Sequence, residues 1–362
     1  MIRQRRGPFA PGDQVQLTDP KGRKHLVLLA EGRTFHTHRG GLAHDDLIGA
    51  PEGTVVKSSA GTPYVALRPL LADFTLSMSR GAAVVYPKDA AQIIALADIF
   101  PGARVLEAGA GSGALSCWLL RSVGEDGLLV SYERRADFAD IARANVERFF
   151  GAPHPAWQLR VGDLMEVTGG PADAADEAGL PGPADPEAQA DAGGVAAPAD
   201  EPDAVGLAAL ADEPGAAALA NPADEPDAMG LAGQVFPNGG PDHAGPADSF
   251  DRVVLDMLAP WEFAHLAASA LIPGGVLCCY VATVTQLSRT VESIREQGSF
   301  DEPMAWESLV RGWHVDGLAV RPEHRMVGHT GFLITARRLA QGITAPPRRR
   351  RPAKGSREES DQ

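Results

Sequence analysis

Four acidic residues and one run of glycines carry the chemical interest of this chain. The segment Val105-Leu106-Glu107-Ala108-Gly109-Ala110-Gly111-Ser112-Gly113-Ala114-Leu115 reads as a strand, a glycine turn and the start of a helix. Glycines let a backbone approach a ligand closely, and the first N–H groups of the helix have no partner within it. Gly109, Gly111 and Ala114 also satisfy the dinucleotide pattern GxGxxA. The turn alone therefore suits either NAD or S-adenosylmethionine, and Glu133, closing the next apolar run, would hold ribose hydroxyls in both cases.

Three observations favour S-adenosylmethionine. Glu107 ends the first strand, where a carboxylate is poorly placed beside a pyrophosphate and well placed near a sulfonium or an amino group. Asp163, in Val161-Gly162-Asp163-Leu164, follows the third strand, where an adenine amino group could be read. No second phosphate-binding feature and no His or Tyr pair suited to hydride transfer accompanies the turn. Asp256 closes another apolar run, in Val253-Val254-Leu255-Asp256-Met257-Leu258-Ala259-Pro260-Trp261. That position borders the methyl group and the incoming base, and the Pro-Trp pair offers a stacking platform.

The elements that must position these residues alternate. Helical spacing covers 89–100, 113–123, 136–150, 262–271 and 286–296. Short apolar strands cover 104–107, 128–133, 158–161, 251–256, 275–282, 315–320 and 331–337. Alternation of this kind predicts an α/β fold with a doubly wound, mainly parallel, Rossmann-like sheet that takes ligands at the carboxyl ends of its strands. Before it, runs at 14–18, 25–29, 33–38, 54–58 and 64–67, punctuated by Gly and Pro, predict a small N-terminal all-β domain over 1–75. The Rossmann-like domain then comprises 76–168 and 249–340.

Residues 169–248 differ in kind: 24 Ala, 13 Gly, 12 Pro and 16 Asp or Glu, with no Lys or Arg. Such a stretch buries too little apolar surface to offset the entropy of ordering it, and it reads as a disordered acidic insert. The sequence Ala-Asp-Glu-Pro recurs at Ala199, Ala211 and Ala223 without the apolar face that a stacked repeat needs. The formal charge of −14 belongs largely to this insert, because the remaining 282 residues carry a net charge of +2. Nucleic acid is thus not excluded as a partner, and the tail 341–362, with Arg348 to Arg351, reads as a basic disordered extension.

Cys117, Cys278 and Cys279 form no CxxC pair, and adjacent Cys278 and Cys279 point to opposite faces of a strand. His36, His38 and His44 lack an accompanying ligand set, so no metal is expected. There is no apolar stretch of membrane-spanning length and no leader-type apolar segment, so a soluble cytoplasmic protein is expected.

The chain resembles the bacterial and archaeal tRNA adenine N1-methyltransferases that act at position 58 of the T-loop. The resemblance rests on Arg80-Gly81 with Val84-Val85-Tyr86-Pro87-Lys88-Asp89, on 105–115, on Ser131-Tyr132-Glu133-Arg134 and on 254–262. It continues through Tyr280-Val281-Ala282-Thr283-Val284-Thr285-Gln286-Leu287 and Gly328-His329-Thr330-Gly331-Phe332-Leu333. It covers about 10–168 and 249–340, and the acidic insert departs from it.

This resemblance implies a class I S-adenosylmethionine-dependent methyltransferase that modifies tRNA as a homotetramer. It implies that Ser112, Gly113, Ala114 and Leu115 line the methionine part of the cofactor, with Glu133 at the ribose, Asp163 at the adenine and Asp256 at the active centre. It also implies Tyr86 at the entrance for the target adenosine. Phe138 stands where relatives often carry a polar residue, so its contact with the cofactor could only be apolar. Two rival readings stay open: an NAD-linked oxidoreductase using the same turn, and a non-catalytic RNA-binding subunit. Intact glycines and Asp256 weigh against the second.

Overall fold

The computed structural model describes residues 6–164, 250–324 and 326–346. The insert 169–248, the run Arg348 to Arg351 and the rest of the tail beyond residue 346 lie outside the described residues. The N-terminal part contains strands β1 (Gln14–Thr18), β2 (Lys24–Leu28), β3 (Thr34–Thr37), β4 (Gly40–Ala43), β5 (Val55–Lys57) and β6 (Pro63–Leu67). An antiparallel sheet of order β2-β1-β6-β5 and a separate β3-β4 ribbon result. They enclose their own apolar cluster, including Phe9, Val15, Leu17, Leu42, Leu47 and Tyr64.

Two features here differ from expectation. Gly40-Gly41, outside the strand runs expected from the sequence, forms paired strand β4 opposite Thr37 and His36. A helix, α1 (Leu71–Ser77), was not expected. Its Leu71 and Phe74 are buried against the catalytic sheet's helices, so this short segment is fixed by tertiary packing that local sequence does not reveal.

The catalytic part runs α2 (Pro87–Leu96), β7 (Arg104–Ala108), α3 (Ala114–Val123), β8 (Leu128–Glu133), α4 (Ala136–Phe150) and β9 (Trp157–Val161). After the undescribed segment come β10 (Phe250–Asp256), α5 (Ala264–Ala270), β11 (Leu271–Val281) and α6 (Val284–Gln297). Strands β12 (Met304–Trp306), β13 (Trp313–Asp316), β14 (Ala319–Pro322) and β15 (Phe332–Arg337) complete it. Local chemistry sets several ends. Pro87 occupies the first turn of α2, where its missing N–H costs nothing. Gly151 and Gly298 adopt left-handed conformations that stop α4 and α6.

Seven strands form one sheet, in the order β12-β15-β11-β10-β7-β8-β9. The five from β11 to β9 are parallel, while β15 runs antiparallel to both β11 and β12. Alternate residues feed two cores. Val105, Leu129, Val254 and Cys278 face α1 to α4, whereas Leu106, Val130, Leu255 and Cys279 face α5 and α6. The neighbouring cysteines do point to opposite faces, and both are free and buried. Residues 315–320, expected as one strand, instead turn at Gly317 and form the β13-β14 hairpin.

Strands β7, β8 and β9 succeed one another outward, and the chain then returns to place β10 on the other side of β7. That reversal opens a crevice at the carboxyl ends of β7 and β10, the place where open α/β sheets take ligands.

Candidate active site

Glu107 on β7 is completely buried, and its Oε2 accepts hydrogen bonds from Ser116 Oγ on α3 at 2.7 Å and Ser131 Oγ on β8 at 2.5 Å. Ser131 is itself fixed by Trp157 Nε1 at 2.9 Å. The other oxygen, Glu107 Oε1, is buried without a hydrogen-bond partner. A buried polar atom of this kind is costly unless something polar meets it. Burial, with a contribution from Glu133, pushes the Glu107 carboxyl up to about 7, against the two serine hydrogen bonds.

Beyond β7 the chain turns sharply. Gly109, at φ +90°, lies against the Asp256 carbonyl so closely that a Cβ on Gly109 would stand 1.8 Å from that oxygen. Gly113, also with positive φ, packs on Ala142 of α4, and it heads α3 without any side-chain cap. Gly111 N–H donates to Glu133 Oε2 at 2.8 Å, and Arg135 N–H donates to Glu133 Oε1 at 3.0 Å. These two bonds orient a carboxylate at the end of β8, and each of its oxygens keeps acceptor capacity.

The residues expected around the cofactor divide by role. Ser112 Oγ is turned away from the helix start and accepts from Gly81 N–H at 3.0 Å and Ala82 N–H at 3.2 Å. It thereby pins the 80–82 segment over the turn. Ala114 and Leu115 side chains lie in the apolar core, so only their backbone N–H groups are placed for a ligand at the head of α3. Phe138 packs beneath Gly81, with the Arg135 guanidinium 3.8 Å from its ring centroid. Asp163 follows Gly162, whose N–H meets the Glu133 carbonyl, and it pairs with Arg134 at 3.4 Å.

Asp256 ends β10, in register with Tyr280 of β11. Desolvation, then Glu107 and Glu133, raise its carboxyl to about 7. Trp261, read as an open platform, carries the Arg289 guanidinium 4.2 Å from its ring centroid, and its Nε1 is buried. One face of this ring is thus already covered by the protein. The preceding loop is held by Gln286, whose Nε2 donates to the Leu258 carbonyl at 2.9 Å and whose Oε1 accepts from Ala282 and Thr283 N–H.

A second group lies behind Tyr86, where two segments that carry the family resemblance, 86–89 and 328–330, meet. Tyr86 precedes α2, and Lys88 and Asp89 follow it into a buried network. Lys88 Nζ donates to Asp89 Oδ1 at 2.7 Å, the Ser308 carbonyl at 2.8 Å and Thr330 Oγ1 at 2.5 Å. Asp89 also accepts from Ser308 Oγ at 2.9 Å and from Thr330 Oγ1. Tyr280 OH donates to the Thr330 carbonyl at 2.9 Å. Tyr-Pro-Lys-Asp and Gly-His-Thr are therefore two halves of one cluster beside Asp256. Nothing in either segment alone signals the other, since they lie about 240 residues apart.

Among the described residues, no group of three or more His, Cys, Asp or Glu is arranged to hold a metal ion. The site does fit a cationic donor. Glu107, Glu133 and Asp256 bring three carboxyl groups near one glycine turn, one of them with an unmet buried oxygen. A pyrophosphate there would meet like charge, whereas a sulfonium or ammonium would be attracted.

A glycine turn at the reversal of a doubly wound sheet, ringed by carboxylates, defines an S-adenosylmethionine-dependent methyltransferase. Comparison agrees: an S-adenosylmethionine-dependent O-methyltransferase from Thermotoga maritima superposes with a TM-score of 0.67 at 25% identity, covering 92% of this chain and 95% of that one. The tRNA (m1A58) methyltransferase TrmI of Aquifex aeolicus shares the fold, with a TM-score of 0.62 at 21% identity, over 92% and 99%. Residues 7–56 match the TrmI-like N-terminal family, and 64–150 match the tRNA methyltransferase complex GCD14 subunit family. The tRNA (adenine(58)-N(1))-methyltransferase TrmI of Thermus thermophilus is 31% identical over 322 residues, 89% of this chain and 95% of that protein. The tRNA (adenine(57)-N(1)/adenine(58)-N(1))-methyltransferase TrmI of Methanocaldococcus jannaschii is 29% identical over 325 residues, 89% and 93%. The chain belongs to the TrmI family of tRNA (adenine(58)-N(1))-methyltransferases.

Proposed function

We propose that this protein methylates N1 of adenosine 58 in the T-loop of tRNA, with S-adenosylmethionine as donor. The observation that carries the proposal is the carboxyl of Asp256 at the end of β10, whose backbone carbonyl abuts Gly109 of the cofactor turn. S-adenosylmethionine, when bound, supplies an electrophilic methyl carbon. The residues that would hold it are Glu133 at the ribose, Asp163 at the adenine, and the N–H groups heading α3 at the methionine portion, with Glu107 buried behind the turn and acting on it through its charge rather than by contact.

Adenine N1 has an in-plane lone pair and needs no strong base, so the protein's task is alignment. Methylation spreads positive charge onto the 6-amino group. Asp256, ionised, accepts a hydrogen bond from that amine and stabilises the charge as it develops. The base must leave its stack to reach the site, and Tyr86, half-buried at the head of α2, is the stacking partner we assign.

Self-association as a homotetramer is supported by the β13-β14 hairpin, where Trp313, Val315, Leu318 and Val320 are all exposed. A cytoplasmic location accords with tRNA as substrate. No helix among the described residues is long and apolar enough to cross a membrane.

The test is transfer from labelled S-adenosylmethionine to a tRNA transcript and to the same transcript with guanosine at position 58, followed by nucleoside mass spectrometry. We expect 1-methyladenosine in the first alone. Equal labelling of both, or another methylated nucleoside, would overturn the assignment.

A further inference from the structure

We infer that His329 is a positioning residue that acts as an imidazolium, tying the Glu307 segment to the end of β11 and thereby fixing the loop that carries Asp256. The inference rests on the reading of Asp256 as the centre of the acceptor site. Its basis is the hydrogen-bond geometry of the ring. His329 Nε2 lies 2.8 Å from the carbonyl oxygen of Ala282, and Nδ1 lies 3.3 Å from Glu307 Oε2. Both are pure acceptors. A neutral imidazole has one N–H, so both bonds form together only when both ring nitrogens carry protons.

The consequences run directly to the active centre. Ala282 follows the last residue of β11, and Tyr280, two positions earlier, is in register with Asp256. The Ala282 N–H is held by Gln286 Oε1 at 3.1 Å, and the same side chain's Nε2 holds the Leu258 carbonyl, two residues past Asp256. A continuous frame results, from Glu307 through His329, Ala282 and Gln286 to the Asp256 loop. On the remaining side the ring packs on Phe332, centroids 4.7 Å apart.

The charged groups around the ring act in opposite senses. The Ala282 carbonyl and then Glu307 favour its protonation, whereas Lys88, at the head of α2, disfavours it. On balance the imidazole is raised above its ordinary value, so the doubly bonded form prevails at lower pH and one bond is lost as pH rises through the raised value. Ionisation of Asp256 has the reverse effect on turnover, promoting it as pH rises, so the two groups bound the profile from opposite sides.

The experiment uses the full chain saturated with S-adenosylmethionine. Long-range 15N-histidine spectra, assigned with His329→Gln, follow the ring against pH. Single-turnover methylation of the tRNA transcript is measured over the same range. We expect both nitrogens protonated with a midpoint above 6.5, moved to lower pH by Glu307→Gln, and an alkaline limb of the rate that moves with it. His329→Gln should abolish that limb and slow transfer about tenfold at the acid end, with cofactor affinity within about twofold of wild type. A neutral ring, a midpoint at or below 6.5, or an alkaline limb indifferent to both substitutions would overturn the inference. Glu307→Gln keeps the test intact if the histidine variant folds poorly. The spectra do not depend on turnover, so absence of 1-methyladenosine would count against the proposed function alone.

Discussion

A Cβ on Gly109 would stand 1.8 Å from the carbonyl oxygen of Asp256, which makes the cofactor turn and the acceptor residue a single piece of backbone packing. Gly111, two residues on, meets nothing closer than 3.7 Å. Gly109→Ala should therefore displace β10 and cost several kcal/mol, while Gly111→Ala should cost only about 1–2 kcal/mol for its left-handed φ. Denaturant unfolding of the two variants checks the difference, and equal losses would refute the steric argument.

Asp256→Asn removes the charge and keeps the shape. We expect S-adenosylmethionine affinity by calorimetry to stay within a few-fold and the single-turnover rate to fall by about 10²–10³. A rate near wild type would remove Asp256 from the chemistry.

Glu107 and Asp256 hold their protons up to about pH 7 in the folded protein, against ordinary values of 4.5 and 3.8. The folded state then binds more protons than the unfolded chain between those limits. Their contribution to stability is complete below the ordinary values and is lost as pH rises through about 7. A bound cation favours the ionised carboxyls, so S-adenosylmethionine binding near pH 6.5 should release protons. Titration in two buffers of different ionisation enthalpy measures the number released, and Glu107→Gln should reduce it.

Lys88 and Asp89 form a nearly buried pair, and removing either partner leaves the other charge without compensation. Lys88→Met and Asp89→Asn should each destabilise by about 3 kcal/mol, and the double variant by clearly less than their sum. Strict additivity in denaturant unfolding would show that the two act independently.

Leu318 is fully exposed at the tip of the β13-β14 hairpin. Leu318→Glu with Val320→Glu should lower the mass of the particle measured by light scattering. An unchanged mass would place the subunit contacts elsewhere.

The sequence was most legible where chemistry is local. Glu107, the three glycines and Glu133 lie within 27 residues, and apolar strands announce their ends. Ser112 illustrates the limit: its type was noticed, but its bond to Gly81 depends on a loop 31 residues away. The Lys88–Asp89–Ser308–Thr330 cluster joins residues separated by about 220 to 240 positions, and nothing in local periodicity brings them together. Helix α1 and the 313–322 hairpin were missed for the same reason in miniature. Leu71 and Phe74 become a buried face only once α2 and α3 are in place, and Gly317 divides a run whose exposed strands follow no core.

The passage from β9 to β10 divides the site along the chain, with Tyr86 of the acceptor side lying before it. Everything assigned to the donor, from Glu107 to Asp163, lies before it, and Asp256, Tyr280 and His329 lie after it. Neither portion can build the seven-stranded sheet alone, because β10 must slot in beside β7. Donor and acceptor therefore meet only when the portions before and after that passage share one sheet.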